Sequence, residues 1–141
     1  MAGSLRVELV SPERVVYSGE ASMVIVRTVE GGDIAFQPGH APFLGALVER
    51  ASQIHLLDGS VVHVAIHGGF VEVSGDVVSI LSDGAELAEL IDVDRARAAM
   101  EEAERRMGHE ADAVGAAAIR RATARLNAVA NLPAGEVGRA H

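Results

Sequence analysis

Apolar and polar residues follow two different periods in this chain, and the change falls near Gly84. Before it, short apolar runs alternate with polar positions. After it, apolar residues recur every three or four positions. Leu5-Arg6-Val7-Glu8-Leu9 has the period of two that a half-buried strand requires. Ser11-Pro12-Glu13-Arg14 reads as a turn, because proline presets the backbone and serine can cap it. Val15-Val16-Tyr17 and Met23–Arg27 read as further strands, divided by Ser18-Gly19-Glu20. Glu30-Gly31-Gly32-Asp33 is a tight acidic turn, followed by Ile34-Ala35-Phe36 and a loop containing Pro38-Gly39-His40-Ala41-Pro42. Two hairpins are signalled around Asp58-Gly59-Ser60 and Ser74-Gly75-Asp76. Many short strands at this spacing predict a β-sandwich or flattened barrel over residues 1–84.

Residues 85–141 predict an antiparallel two-helix hairpin with a frayed end. Val93, Ala96, Met100, Ala103 and Met107 form one stripe, with Asp92 as N-cap and Gly108 as stop. A second helix, from about Asp112 to Ala130, carries Ile119, Ala122, Leu126 and Val129 on one face and ends at Asn131 and Pro133. Stripes this narrow and alanine-rich bury little surface. Isolated helices of this length are marginal in water, so the hairpin is expected to need the sheet or a partner.

Composition narrows the chemistry. With no cysteine, disulfides, thiolate metal sites and cysteine nucleophiles are excluded. The net charge of −8 argues against a nucleic-acid binder. No G-x-S-x-G elbow is present, and no lysine exists to complete a phosphate loop, so an enzyme is not expected. His63 and His67 share a strand face, but ~13 Å separates them, too far to share a metal. They are expected to face solvent, and no metal site is expected. No apolar run approaches the ~18 residues of a membrane span, and no secretory signal opens the chain, so a soluble intracellular protein is expected.

All basic residues are arginine. Arg121 and Arg125, four apart, project from one helix face, off the Ile119/Leu126 stripe. In an antiparallel hairpin Arg95 comes near them. Three converging guanidinium groups would need an anion, either phosphate or the acids of a partner. The other reading is a solvated face paired with Glu101, Glu102 and Glu104.

Several pieces then occur together in a specific order: Leu9-Val10-Ser11-Pro12-Glu13, Glu30–Phe36 before Pro38-Gly39-His40-Ala41-Pro42-Phe43, Gly68-Gly69-Phe70-Val71-Glu72-Val73 before Val77–Leu81, and Ile91-Asp92-Val93-Asp94-Arg95-Ala96. On these residues the chain resembles the ε subunits of bacterial F-type ATP synthases over nearly its whole length. The resemblance implies a β-sandwich of about ten strands followed by the two-helix hairpin. It implies a non-catalytic rotor subunit that couples proton flow to ATP synthesis, peripheral at the cytoplasmic face of the bacterial inner membrane. The sandwich would dock on the γ subunit and the c-ring, with Glu30, Asp33 and His40 as contacts, and would meet the membrane only through the c-ring. The hairpin would fold on the sandwich or extend along γ to the catalytic α and β subunits, where it opposes ATP hydrolysis. No cofactor is required. In some members regulatory ATP binds an I-D-x-x-R-A motif and basic residues of the second helix. Carried over, these are Ile91, Asp92, Arg95 and Ala96, with Arg121 and Arg125 facing phosphate and Glu86 on the adenine side. The chain departs from that pattern at Glu102, which stands where those members have arginine, and in a shorter inter-helix segment between Met107 and Ala113. The alternative is a free-standing nucleotide-sensing module of the same fold.

Overall fold

In the computed structural model, residues 3–107 and 113–133 are described. The expected helix stop at Gly108, the start at Asp112, the inter-helix segment and the frayed end at 134–141 lie outside them.

Eight strands form the sandwich: β1 (Leu5–Val10), β2 (Val15–Ala21), β3 (Met23–Thr28), β4 (Gly32–Phe36), β5 (Phe43–His55), β6 (Val61–Ser74), β7 (Val77–Ser82) and β8 (Ala85–Leu87). The count is eight rather than ten because β5 and β6 are long and each serves both layers. The N-terminal half of β5 and the C-terminal half of β6 join β7, β1 and β2. The remaining halves join β8, β3 and β4. Ser18-Gly19-Glu20 does not divide strands; it belongs to β2, paired along β1. The tail is not helical from Ala85 on, since Ala85–Leu87 extends the sheet as β8, paired with Val64–Ile66.

The core lies between the layers. Leu5, Val7 and Leu9 of β1, Val24 and Val26 of β3, Val71 and Val73 of β6, and Val78 and Ile80 of β7 turn inward at every second position. The inward face is therefore apolar wherever the outward face meets water, which is how alternation specifies register. The turn joining β6 to β7 has both Gly75 (φ 56°) and Asp76 (φ 64°) in the left-handed region, as a two-residue hairpin of the primed type demands. The Asp76 carboxylate accepts from the Gly39 backbone N–H at 2.7 Å, tying this turn to the Pro38–Pro42 loop.

A short 3₁₀ turn, Ala88–Leu90, leads to α1 (Val93–Met107) and α2 (Ala113–Ala130). Helix α2 lies on β5 and β6, and α1 packs on α2. The contact is built largely from small residues: Ala65, Ala88, Ala96, Ala124 and Ala128 with Ile91, Val129 and Leu132. At about 0.8 kcal/mol per buried methyl, such an interface holds weakly for its length. Because α2 covers the outer face of β6, Val64–Gly68 is buried on both faces. His67 is therefore not solvent-facing as expected; its side chain is only 7% exposed.

Candidate functional site

Two adjoining cavities open where the hairpin meets the sandwich. The larger, about 660 Å³, lies between the Ser11–Arg14 turn, the Asp83–Glu86 segment and Arg121 and Arg125 of α2. The second, about 450 Å³, lies at the start of α1 and is lined by Leu90, Ile91, Asp92, Arg95 and Ala96 among others. Arg14, Glu86 and Arg125 border both.

Local structure explains the placement. Asp92 caps α1: its Oδ1 accepts from the Arg95 backbone N–H at 3.0 Å, satisfying one of the helix's unpaired N-terminal donors. Arg95 is thereby held in the first turn, beside the cavity. Ile91 is buried against the hairpin's alanines and, with Ala96 and Ala99, gives the second cavity an apolar wall. Glu86 comes from β8 and meets Arg125 of α2, whose Nε donates to Glu86 Oε2 at 2.6 Å. His67 Nε2 lies 3.6 Å from the same oxygen. The His67 ring and the Arg125 guanidinium together hold the Glu86 carboxyl down to about 2, against the opposing effect of burial. A carboxyl held below its ordinary value contributes stability above that value and loses it as pH falls toward 2. Glu86 is therefore charged through the physiological range.

The predicted residues divide at Arg125. Glu86, Ile91, Asp92, Arg95 and Arg125 share the second cavity, while Arg121 borders the first. The three arginines thus do not meet in one pocket, because Arg95 and Arg121 lie on either side of the Glu86–Arg125 pair. Among the described residues Arg14, Arg95 and Arg121 form no ion pair. Glu102, the departure noted above, borders neither cavity and pairs with Arg105. Sequence reasoning missed Arg14 and His67. Both reach the site from the sandwich: His67 through the pairing of β6 with β5 and β8, Arg14 from the turn between β1 and β2. The arrangement can hold a polyanion: unpaired guanidinium groups offer forked donors, and the apolar wall offers a surface for a ring.

At another edge of the sandwich, Glu30 caps the tight turn between β3 and β4 without an ion pair among the described residues. Asp33 is already engaged within the chain, 3.3 Å from Arg50 and 4.0 Å from Arg27. The His40 ring stands edge-on to Phe36, with centroids 4.9 Å apart, and its Nδ1 lies 2.7 Å from the Ala41 carbonyl. Beside this turn an apolar groove of about 570 Å³ is lined by Val29, Phe43, Leu44, Ala46 and Phe70. Leu44 is 71% exposed, Leu81 61% and Phe70 56%. Ala46 pairs opposite Phe70, and Phe70 opposite Leu81, so these side chains share one outer face.

Among the described residues no group of three or more His, Asp or Glu is arranged to hold a metal, and no helix is long and apolar enough to cross a membrane.

A family model described as the ATP synthase delta/epsilon chain β-sandwich domain matches residues 4–88. The chain is 48% identical over 130 residues to the ATP synthase epsilon chain of Streptomyces griseus, covering 92% of this chain and 98% of that one. It is 50% identical over 128 residues to the ATP synthase epsilon chain of Thermobifida fusca, covering 88% and 90%. Its fold is similar to a chain in the Euglena gracilis mitochondrial ATP synthase structure of OSCP, F1 and c-ring, with a TM-score of 0.77 at 23% identity, covering 91% of this chain and 82% of that one.

Proposed function

The chain belongs to the ATP synthase delta/epsilon family, and we propose that it is the non-catalytic rotor subunit that joins the central stalk to the c-ring and restrains ATP hydrolysis through its two helices. The observation that carries this reading is the exposed apolar face of Val29, Leu44, Phe70 and Leu81 beside the acidic Glu30 turn. Exposed large apolar residues that adjoin one another mark an interaction surface. The γ subunit would cover that face. Glu30, without an ion pair among the described residues, would meet the polar loops of the c-ring, while Asp33 would have to leave Arg50 to do the same. His40, packed on Phe36 and Phe43, would hold the rim of the γ contact. The chain would then sit at the cytoplasmic face of the bacterial inner membrane without entering it.

Regulation follows from the alanine interface. A hairpin held by few large side chains can leave the sandwich and extend toward the catalytic subunits. A chain ending after Leu90 keeps β8 and the 3₁₀ turn and removes only the helices. ATP hydrolysis by the assembled complex is expected to rise severalfold with this chain, while γ binding persists. Flat hydrolysis would remove the inhibitory role.

Arg14, Arg95 and Arg121, which form no ion pair among the described residues, favour a second element of the reading, regulatory ATP held by the docked hairpin. Glu86, Ile91 and Asp92 would form the base side and Arg95 and Arg125 the phosphate side of the second cavity, with Arg121 reaching across from the first and Arg125 leaving Glu86 to do so. A ligand at ~100 times its Kd stabilises the state it binds by about 2.7 kcal/mol, enough to bias so thin an interface. Wild-type chain is expected to melt several degrees higher in millimolar ATP, and the Arg121→Ala/Arg125→Ala double variant to show no shift. An equal shift in both would refute the assignment. The same ATP response in a chain that fails to bind γ would instead favour a free-standing nucleotide sensor.

A further inference from the structure

His67 is buried in the docked hairpin's footprint, and among the described residues neither ring nitrogen comes within hydrogen-bond distance of a partner, Nε2 standing 3.6 Å from Glu86 Oε2. A buried polar group left in that state costs stability, so its retention there calls for a role. Charged groups from three elements adjoin it. Glu49 of β5 stands directly opposite it in the β5–β6 register and holds Arg120 of α2 at 3.3 Å. Glu86 of β8 lies 3.6 Å away and holds Arg125 of α2. Asp83, Glu13, Arg14 and Arg121 border the same cavity. Among the described residues, Glu49–Arg120 and Glu86–Arg125 are the ion pairs that join α2 to the sheet. The rest of the contact is built largely from alanine.

We propose that His67 is a proton-operated latch: taking up a proton, its Nε2–H closes on Glu86, so that one carboxylate ties β6, β8 and α2 together and the hairpin is held more firmly on the sandwich. Histidine is the side chain that changes charge within the pH range of cells. Glu86 remains ionised throughout that range, so it is always ready to accept. The proton comes from solvent through the open cavity. Arg125 and Arg121 oppose the added charge, while Glu86 beside the ring and Glu49 opposite it in the register favour it. A charge-assisted hydrogen bond to a partly exposed carboxylate corresponds to roughly a tenfold change in an equilibrium. The latch depends only on the docked hairpin, and stands whether the hairpin inhibits hydrolysis or binds ATP.

Amide hydrogen exchange on the full chain tests it. Protection of the Ala124 and Ala128 amides in α2, corrected for intrinsic rates, reports hairpin opening; the Val7 amide in β1 serves as internal reference for global unfolding. Between pH 8 and pH 6, protection in α2 relative to Val7 is expected to rise about tenfold. His67→Gln should remove that rise. So should Glu86→Gln, which keeps the histidine and removes the negative charge that faces it. A purely structural His67 would give lower protection in His67→Gln with the pH dependence intact, and that result overturns the proposal. So does protection that is unchanged or falls on acidification of the wild type.

Discussion

A chain carrying Leu44→Glu and Phe70→Glu is expected to lose γ, with Kd rising about a thousandfold or more. Both side chains stand largely in solvent on the same outer face, so replacing them should leave folding within about 0.5 kcal/mol per site. Once γ covers them, each would become a desolvated anchor contributing about 2 kcal/mol or more. The two together amount to a factor of roughly 10³, before counting the cost of burying two carboxylates without partners. Titration calorimetry against purified γ, with thermal denaturation of the free variant as control, measures both quantities. Undiminished affinity in a folded variant would move the interface elsewhere.

The largest expected effect on stability comes from Gly69→Ala, roughly 3–5 kcal/mol of destabilisation. Gly69 has φ of +113°, a conformation that L side chains rarely adopt, and follows Gly68 at +85°. A Cβ added at Gly69 would stand 2.2 Å from the Leu81 carbonyl oxygen and 2.7 Å from Ser82 Cα. Both obstacles are backbone and cannot rotate away. They belong to β7, which pairs with β6 at this point as β6 passes from one layer to the other. Backbone strain alone costs about 1–3 kcal/mol, and relieving the overlap costs at least as much again. Gly32→Ala separates the two effects. It also has positive φ, 70°, but nothing lies within 4 Å of its added Cβ, so it should cost only about 1 kcal/mol. Denaturant midpoints for the three chains give the comparison. Equal losses at both positions would mean that steric overlap at Gly69 is absorbed by movement of β7.

The sandwich was legible wherever one face of a strand meets the core and the other meets water. Leu5, Val7 and Leu9 announced β1 in this way, and both hairpin turns were marked by glycine beside aspartate. Legibility failed where a second element covers the outer face. In β5, Glu49-Arg50-Ala51-Ser52-Gln53 carries no simple alternation because α2 lies over it, and the strand's full thirteen residues went unread. His67 was misread as solvent-facing for the same reason. The helices were visible from Ala96, Ala103, Ala122 and Val129, all buried. The second buried face of α2, Ala124 and Ala128, was indistinguishable from its other alanines because methyl groups this small leave no amphipathic mark.

The site was half legible. A cap such as Asp92 and an i,i+4 pair such as Arg121/Arg125 are local features that spacing reveals. The pairing of Arg125 with Glu86 depends on where α2 settles against β8, and the presence of Arg14 on where it settles relative to a turn more than a hundred residues earlier. No local pattern encodes that distance.

Photo-crosslinking in the assembled synthase tests the central claim most directly. A benzoylphenylalanine placed at Leu44 should crosslink to γ. The same probe at Leu57, also exposed but in the loop at the far end of β5, should not. Crosslinks from Leu57 alone, or from neither position in a complex that retains the chain, would contradict the account.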